Sequence, residues 1–192
     1  MFLFLAWIPL VNAFINPDSN ALISKIADKY SGSFYPRCSN EACPGHCESK
    51  WTYFDQTDAC YKTFYNANFH DAEYICSTVG GHLTSVHSYD ENVFVAELAK
   101  MGKTWSDDYG LDLTWIGLRS YGTQSRNWTW TDGTKVDFLA WIPEAPVSGR
   151  DCALLYSDPY VKPEYGYYYQ KWTSHHCVMA RRAFVCKKRS LH

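Results

Sequence analysis

Eight cysteines carry the chemistry that this sequence makes easiest to interpret. An even number of cysteines is typical of a disulfide framework formed in an oxidising compartment. A structural zinc site would instead need two groups of closely spaced ligands, and the pair Cys43 and Cys47 has no matching second pair. The pattern therefore favours disulfides over a metal site. The cysteines are Cys38, Cys43, Cys47, Cys60, Cys76, Cys152, Cys177 and Cys186.

A tyrosine-rich segment between Cys152 and Trp172 is the best candidate for a recognition surface. Tyrosine offers a large contact area at low entropic cost together with a polar hydroxyl, which suits protein surfaces and stacking on sugar rings. The alternative interpretation is that these rings pack locally within an extended hairpin. The candidate ligand-binding residues are Tyr156, Tyr160, Tyr165, Tyr167, Tyr168, Tyr169 and Trp172.

Other chemistry is not supported by the residues. The sequence contains no Gly-x-Ser-x-Gly motif, no His-Glu-x-x-His motif and no phosphate-binding glycine loop, so we predict no catalytic residue and no enzyme activity. The pairs His82 with His87 and His175 with His176 are better interpreted as loop or core histidines than as metal ligands. A formal net charge of −2 also argues against nucleic-acid binding.

The amino terminus has the pattern of a secretory signal peptide. An apolar run too short to span a bilayer is followed by Val11-Asn12-Ala13, whose small last residue suits cleavage. This predicts a signal peptide at 1–13 and a secreted, extracellular protein; a buried strand or helix is the alternative. No later stretch reaches the ~18 apolar residues of a membrane span, so none is expected.

Residues 14–37 are interpreted as a leader. Leu22, Ile23 and Ile26 lie at helical spacing after Ser19, a residue type that caps helices, which favours a short docking or oligomerising helix. A flexible leader is the alternative. Apolar residues make up 46% of the whole chain and charged residues only 20%, so the remainder is expected to fold.

Hydrophobic periodicity then predicts two helices ahead of a buried strand. One helix begins at Asn68 and ends at Gly80-Gly81, and the other begins at Ser88, has Glu91 in a capping box and continues to Met101. The predicted strands are those around Trp51–Phe54, Trp115–Leu118, Asn127–Trp130, Cys152–Leu155 and Ala183–Cys186. Asp132-Gly133 after an aromatic run is typical of a hairpin turn.

Taken in order, these features resemble the C-type lectin-like domain over about Cys43 to Lys187. The resemblance implies an α+β fold with two helices, two small antiparallel sheets and a long ligand-carrying loop. We place the domain at 38–187, with a basic tail at 188–192. The residues that carry the resemblance are Cys60-Tyr61-Lys62, Ala72, Cys76, Gly81-His82-Leu83, Ser88 to Asn92, Trp115-Ile116-Gly117-Leu118, Trp130, Asp132-Gly133, Asp151-Cys152, Trp172, Cys177, Phe184 and Cys186.

The resemblance also implies disulfide pairs. Cys76 should pair with Cys186, and Cys152 with Cys177. The partner of Cys60 is either Cys47, which has the family's spacing to Trp51, or Cys43, which is followed by the usual proline. Of these we favour Cys47 with Cys60, and hence Cys38 with Cys43.

The family's calcium and sugar site is expected to be lost. Calcium needs six to eight oxygen ligands, mainly from carboxylates. Where the family has these ligands, this sequence has Ala145-Pro146-Val147 and, after Trp172, Thr173-Ser174. Glu144 or Asp151 would replace only part of the set. We therefore predict no calcium cofactor and no calcium-dependent sugar recognition.

The predicted function is that of a secreted lectin-like binding protein. It would recognise a carbohydrate or glycoprotein without calcium, with a role in surface defence as such proteins often have; the alternative is an extracellular protein-interaction or structural module that binds no sugar. The basic residues Arg181, Arg182 and 187–189 are either a surface for sulfated glycans or a solvated terminus. Asn127 heads an acceptor sequon for glycosylation.

Overall fold

The computed structural model describes residues 45–102, 111–121, 127–159 and 163–192. The predicted signal peptide, leader and Cys38–Cys43 pair, and the candidate Tyr160, lie outside these residues. Within the described ranges, no helix combines the length and the apolar character needed to cross a bilayer.

A lower sheet joins the two ends of the described chain. β1 (Thr52–Phe54) pairs with β2 (Ala59–Ala67), which pairs along its length with β8 (Arg181–Arg189), and β3 (His82–Leu83) adds to the other edge of β8. All of these pairings are antiparallel. β8 extends beyond the predicted strand, so Lys188 and Arg189 of the expected tail lie within the sheet.

The first helix, α1 (Phe69–Thr78), has the predicted ends. The Asn68 side chain accepts a hydrogen bond from the Asp71 amide at 3.0 Å, which satisfies one of the free amides of the first turn. Gly80 follows the helix with φ of +81°, a conformation that costs glycine little. Capping residues in the sequence therefore define this element at both ends.

The second helix, α2 (Tyr89–Ala99), begins as predicted but ends earlier. Ser88 Oγ accepts from the Glu91 amide at 3.1 Å, as in a capping box. At the other end the prediction that the helix reaches Met101 is wrong. The Asp158 carboxylate accepts from the amides of Met101 and Gly102 at 3.0 and 2.9 Å, and this distant partner draws the chain out of the helix.

An upper sheet is built around β4 (Thr114–Ser120). β4 pairs antiparallel with β5 (Trp128–Trp130) and with β6 (Cys152–Leu155), and β6 pairs with β7 (Trp172–His175). The predicted strand at Trp115–Leu118 is confirmed. Where the predicted fold has two separate sheets, Thr114 and Trp115 pair in parallel with β8, so the two sheets are continuous. The α+β class is confirmed.

The hairpin predicted at Asp132-Gly133 is wrong. β5 pairs with β4 and, among the described residues, with no strand after the turn; the chain instead enters the irregular long loop, 131–151, which leads to β6. The physical reason lies in Asp132, whose carboxylate accepts from the Ser85 hydroxyl at 2.5 Å and from the Thr134 amide at 2.9 Å. These bonds hold the turn against the body of the domain, so the residues that follow do not fold back to pair with β5.

In the part of the chain that the structure describes, three disulfides connect the elements of the fold at the expected positions. Cys76–Cys186 joins α1 to β8, and Cys152–Cys177 joins β6 to the segment after β7. Cys47 pairs with Cys60, so the choice between Cys47 and Cys43 is resolved in favour of the prediction. Closing a loop of 110 residues is the largest constraint of the three on the unfolded chain.

Candidate recognition surface and the altered calcium position

The long loop is held against β7 by backbone hydrogen bonds. The Trp172 amide donates to Ala140 O at 2.7 Å, and the Ile142 amide donates to Trp172 O at 2.9 Å. Residues 145–147 therefore lie beside the first residues of β7, with a cis peptide bond before Pro146. The structure thus brings together the two short segments that the sequence predicts to be the altered calcium position.

At this position the available oxygens are already used within the protein. Ser174 is fully buried, and its hydroxyl accepts a hydrogen bond from the Val147 amide at 2.8 Å. Thr173 is hydrogen-bonded through its side chain to Tyr156. Ala145 and Val147 offer no side-chain oxygen. The side chains at this position are therefore uncharged, and their hydroxyls are hydrogen-bonded within the protein, unlike the carboxylate-rich shell that calcium requires.

The two nearby carboxylates do not complete such a shell. Glu144 Oε2 accepts from the Tyr168 hydroxyl at 3.5 Å, whereas Asp151 Oδ1 accepts from the Ser120 hydroxyl at 2.8 Å on another strand. Among the residues that the structure describes, no group of three or more His, Cys, Asp and Glu side chains is arranged to hold a metal ion. The residues at this position do not fit a calcium ion.

Two of the candidate ligand-binding residues lie beneath the surface. Trp172 is 0% exposed, and its indole N–H donates to Asn92 Oδ1 at 2.7 Å. Tyr156 is also buried, and this burial raises its pKa to about 12. The inclusion of Trp172 and Tyr156 in a ligand-contacting set is therefore corrected. Both belong to the core, because aromatic rings at the start of β7 and the end of β6 pack between the sheet and the loops.

The exposed part of the segment is a cluster that we name the tyrosine patch, formed by Tyr165, Tyr167 and Tyr168. It lies on a short 3₁₀ helix, Pro163–Tyr168. Tyr165 and Tyr167 are 37% and 53% exposed, and their rings lie 5.5 and 4.6 Å from that of Tyr168. Tyr168 in turn packs at 5.2 Å on buried Tyr156. Both interpretations of the segment are therefore partly realised, because some rings are packed and others face solvent.

Helix α2 holds the tyrosine patch in place. The Tyr169 hydroxyl donates to Glu97 and accepts from Lys100 Nζ at 3.2 Å, and the hydrogen bond to Tyr169 holds the pKa of Glu97 below its usual range. The Asn92 amide group donates to Gln170 O at 2.8 Å while its oxygen accepts from Trp172. These supporting residues were not predicted. The only signal for Asn92 was a polar residue on the apolar face of the helix.

The family follows from a match to known domains. Residues 65–188, more than half of the chain, match the model described as the lectin C-type domain. The protein belongs to the C-type lectin domain family. The resemblance stated from the sequence is thereby confirmed, and domains of this family bind glycans or proteins.

The lectin-like domain is also similar to individual known proteins. It is similar to snaclec B1 of Macrovipera lebetinus, with 37% identity over 103 residues, which is 52% of this chain and 64% of that protein. The chain thus spans less than two thirds of that relative. Human lithostathine is 26% identical with a TM-score of 0.60, covering 81% of this chain and 99% of that one. A calcium-independent type II antifreeze protein, at 24% identity and a TM-score of 0.59 over 80% of this chain and 100% of that one, shows the shared fold alone.

A cleft of about 740 Å³ lies at the carboxyl end of the lectin-like domain, away from the tyrosine patch. Its lining includes Asp58 and Ser190, which together with His192 resemble a catalytic triad in composition. The geometry differs, however, because His192 Nε2 faces both Asp58 Oδ2, at 2.8 Å, and Ser190 Oγ, at 3.1 Å. In a catalytic triad the two ring nitrogens have different partners, because Nδ1–H donates to the carboxylate while Nε2 accepts the proton of the serine hydroxyl. This cluster ties the chain end to the sheet.

Most of the cations near the carboxyl end have internal partners. Lys187 Nζ lies 2.6 Å from Glu91, Lys188 Nζ lies 2.9 Å from Glu48, and Arg182 Nη1 lies 2.7 Å from Asp158. These side chains are paired and do not form a solvated basic tail.

The predicted sequon lies at the surface of the lectin-like domain. Asn127 is exposed and precedes β5, and the sequon residue Thr129 is exposed as well. The acceptor side chain is therefore accessible.

Proposed function

We propose that this protein is a secreted C-type lectin-like protein that binds a carbohydrate or glycoprotein without calcium. The observation that carries the proposal is the hydrogen bond from the Val147 amide to the buried Ser174 hydroxyl. This intramolecular hydrogen bond uses a hydroxyl at the position where the family has ion ligands, which supports recognition through other groups. We propose binding and not catalysis as the activity.

The tyrosine patch is the surface that we assign to this recognition. Tyr165 and Tyr167 are exposed to solvent, while Tyr168 and Tyr169 connect them to Glu144 and to α2. A supported aromatic surface loses little side-chain entropy when it binds, which favours stacking on a sugar ring. A role in surface defence and glycosylation at exposed Asn127 are part of the same proposal, and the disulfides fit an oxidising compartment.

Calcium independence is tested by titrating the secreted protein with calcium in a calorimeter and by screening a glycan array with and without chelator. We expect no stoichiometric calcium binding at micromolar concentrations and the same array signal under both conditions. Loss of every array signal in chelator, or tight calcium binding near Ser174, would contradict the proposal.

The role of the patch is tested with Tyr167→Ser, which removes an exposed ring from the patch. The matched control is Tyr74→Ser, because Tyr74 is 70% exposed on α1 and lies outside the patch. We expect about a tenfold loss of glycan affinity for Tyr167→Ser, corresponding to about 1.4 kcal/mol for one stacked ring, and no change for the control. Equal affinities for both variants and the parent would remove the patch from the proposal.

A second candidate function is protein binding without sugar. The observation that favours it is apolar exposure on the long loop, where Leu139 and Val147 present methyl groups to solvent. An array with no signal, combined with recovery of a defined extracellular protein that is lost on replacing Tyr167, Tyr168 and Tyr169 with Ser, would support this second function and exclude the first.

A further inference from the structure

Three arginines and two histidines lie around the Cys152–Cys177 disulfide, and we name this group the cationic row: Arg119, Arg150, His175, His176 and Arg181. Cys152 of β6 pairs with Arg119 of β4 on one side and with His175 of β7 on the other. Residues that pair directly across antiparallel strands project from the same face of a sheet. Arg119 and His175 therefore flank the disulfide on one face of the upper sheet.

Arg181 is the unusual member of the row. It is 1% exposed, and its Nε and Nη1 atoms have no hydrogen-bond partner. Its remaining contacts are a long approach of Nη2 to Met179 Sδ, at 4.0 Å, and the Trp115 ring at 5.5 Å. A buried charge without an acidic partner costs stability unless something else compensates it.

Among the described residues, Arg119 and Arg150 also have no acidic partner. The Arg119 guanidinium lies over the Tyr121 ring, with a carbon-to-centroid distance of 4.0 Å, and its Nε is buried without a hydrogen bond. In the part of the chain that the structure describes, no carboxylate lies within salt-bridge distance of Arg119, Arg150 or Arg181. The adjacent Asp151 carboxylate accepts instead from the Ser120 hydroxyl.

His175 adds a hydrogen-bond donor to this charge. Its Nδ1 accepts from the His176 amide at 2.9 Å, which leaves Nε2 to carry the proton of the neutral ring. Burial and the nearby charges of Arg181 and Arg150 lower its pKa to about 4. The lowered pKa fits a site with positive charge nearby. The tautomer provides an Nε2–H group that can donate a hydrogen bond.

We propose that the cationic row binds the acidic group of a glycan, a sulfate ester or a carboxylate. This inference deepens the proposed function, on which it rests, by assigning the ligand class. Planar guanidinium groups bind such anions through paired hydrogen bonds, and an anion would supply the countercharge that Arg181 lacks.

A chain of contacts through β7 connects the row to the tyrosine patch. Thr173 and His175 project from the same face of β7, about 7 Å apart. Thr173 bonds Tyr156, on which Tyr168 of the tyrosine patch packs.

The test is calorimetric titration of the full-length protein in chelator with three probes: a heparin tetrasaccharide, its fully desulfated and N-acetylated form, and a hyaluronan tetrasaccharide. The first carries sulfates and carboxylates, and the other two carry carboxylates only. The variant Arg119→Gln with Arg150→Gln is compared with Lys50→Gln and Lys135→Gln, two exposed cations outside the row, which remove the same charge.

We expect at least a tenfold loss of affinity for the row variant and less than twofold for the control, with circular dichroism showing that both are folded. Preference for heparin over both other probes identifies sulfate as the recognised group, and equal binding of all three identifies carboxylate. Equal losses in the row and control variants, or no binding of any probe, would overturn the inference.

Tyr167→Ser separates this inference from the proposed function. Acidic-probe binding that depends on Arg119 and Arg150 but not on Tyr167 supports the cationic row and contradicts the tyrosine patch. Neutral-glycan binding that depends on Tyr167 but is unaffected in the row variant, with no acidic preference, supports the patch and contradicts the row.

Discussion

Buried charge is paired in one region of the molecule and unpaired in another. The paired region is the contact between α2 and β8, and the unpaired one is the face of the upper sheet that carries the Cys152–Cys177 disulfide. Beside α2, Glu91 is completely buried, and it accepts from Lys187 Nζ and from the Tyr61 hydroxyl, each at 2.6 Å, and from the His87 amide at 2.7 Å. At the start of β8, near that face of the upper sheet, Arg181 is also almost completely buried and has no acidic partner among the described residues.

This difference distinguishes charge that stabilises the fold from charge that is available to a ligand. A buried ion pair with every oxygen and proton bonded is costly to break, because removing one partner leaves the other unpaired in a low-dielectric environment. A guanidinium that has no partner already carries that cost. Its removal is therefore expected to leave the fold intact or to stabilise it.

The largest expected effect is at the paired region. Glu91→Gln should lower the free energy of unfolding by about 4 kcal/mol, because the Lys187 ammonium loses its anionic partner. Urea denaturation followed by tryptophan fluorescence measures the change. Asp90→Asn, an exposed neighbour in the same turn of α2, is the control, with an expected loss below about 0.5 kcal/mol. Similar losses in the two variants would show that the network is not what distinguishes this region.

The comparison is sharpest at two consecutive residues of β8. Arg182→Met should destabilise the domain by about 3 kcal/mol, because it leaves the buried Asp158 carboxylate without its cation. Arg181→Met should be neutral or stabilising by about 1 kcal/mol, because it replaces an unpaired buried charge with an apolar chain. Both values come from chemical denaturation under one condition. A marked loss of stability in Arg181→Met would show that its charge is compensated in the free protein.

The smallest effect is a pH dependence at His175. The ring titrates near 6.5 in the unfolded chain and at about 4 in the fold, so the unfolded state binds more protons between these values. Stability should therefore fall as the pH is lowered from about 6.5 to about 4. His175→Gln should reduce this slope, as measured by thermal melts across the window.

Exposed Val178 provides the comparison for that slope, since Val178→Ala removes no titratable group and should leave the slope unchanged. Adding a heparin tetrasaccharide should also flatten the slope of the parent protein, because an anion on the cationic row favours the protonated ring. A slope that is identical in His175→Gln and in the parent would contradict the cause given for the lowered pKa.

Local patterns in the sequence were sufficient for much of the fold. Asn68 and Ser88 start the helices because their side chains bond amides only three residues away, and Trp115–Leu118 is a strand because its apolar run is buried. The order of motifs also implied the family's disulfide pairs. The predictions that failed involve partners far along the chain. Asp158 shortens α2, and Ser85 binds Asp132 where a hairpin was expected.

What the sequence by itself determined is the family, the disulfide framework and the absence of carboxylates at the calcium position, because these depend on residue types in a fixed order. Only the tertiary structure decided which tyrosines face solvent, which cations are paired and which remain available. Those outcomes depend on contacts between residues far apart in the chain, such as Lys187 with Glu91, which are 96 positions apart. Hydrophobic periodicity does not predict such pairings, because it indicates which residues are buried and not which residues they contact.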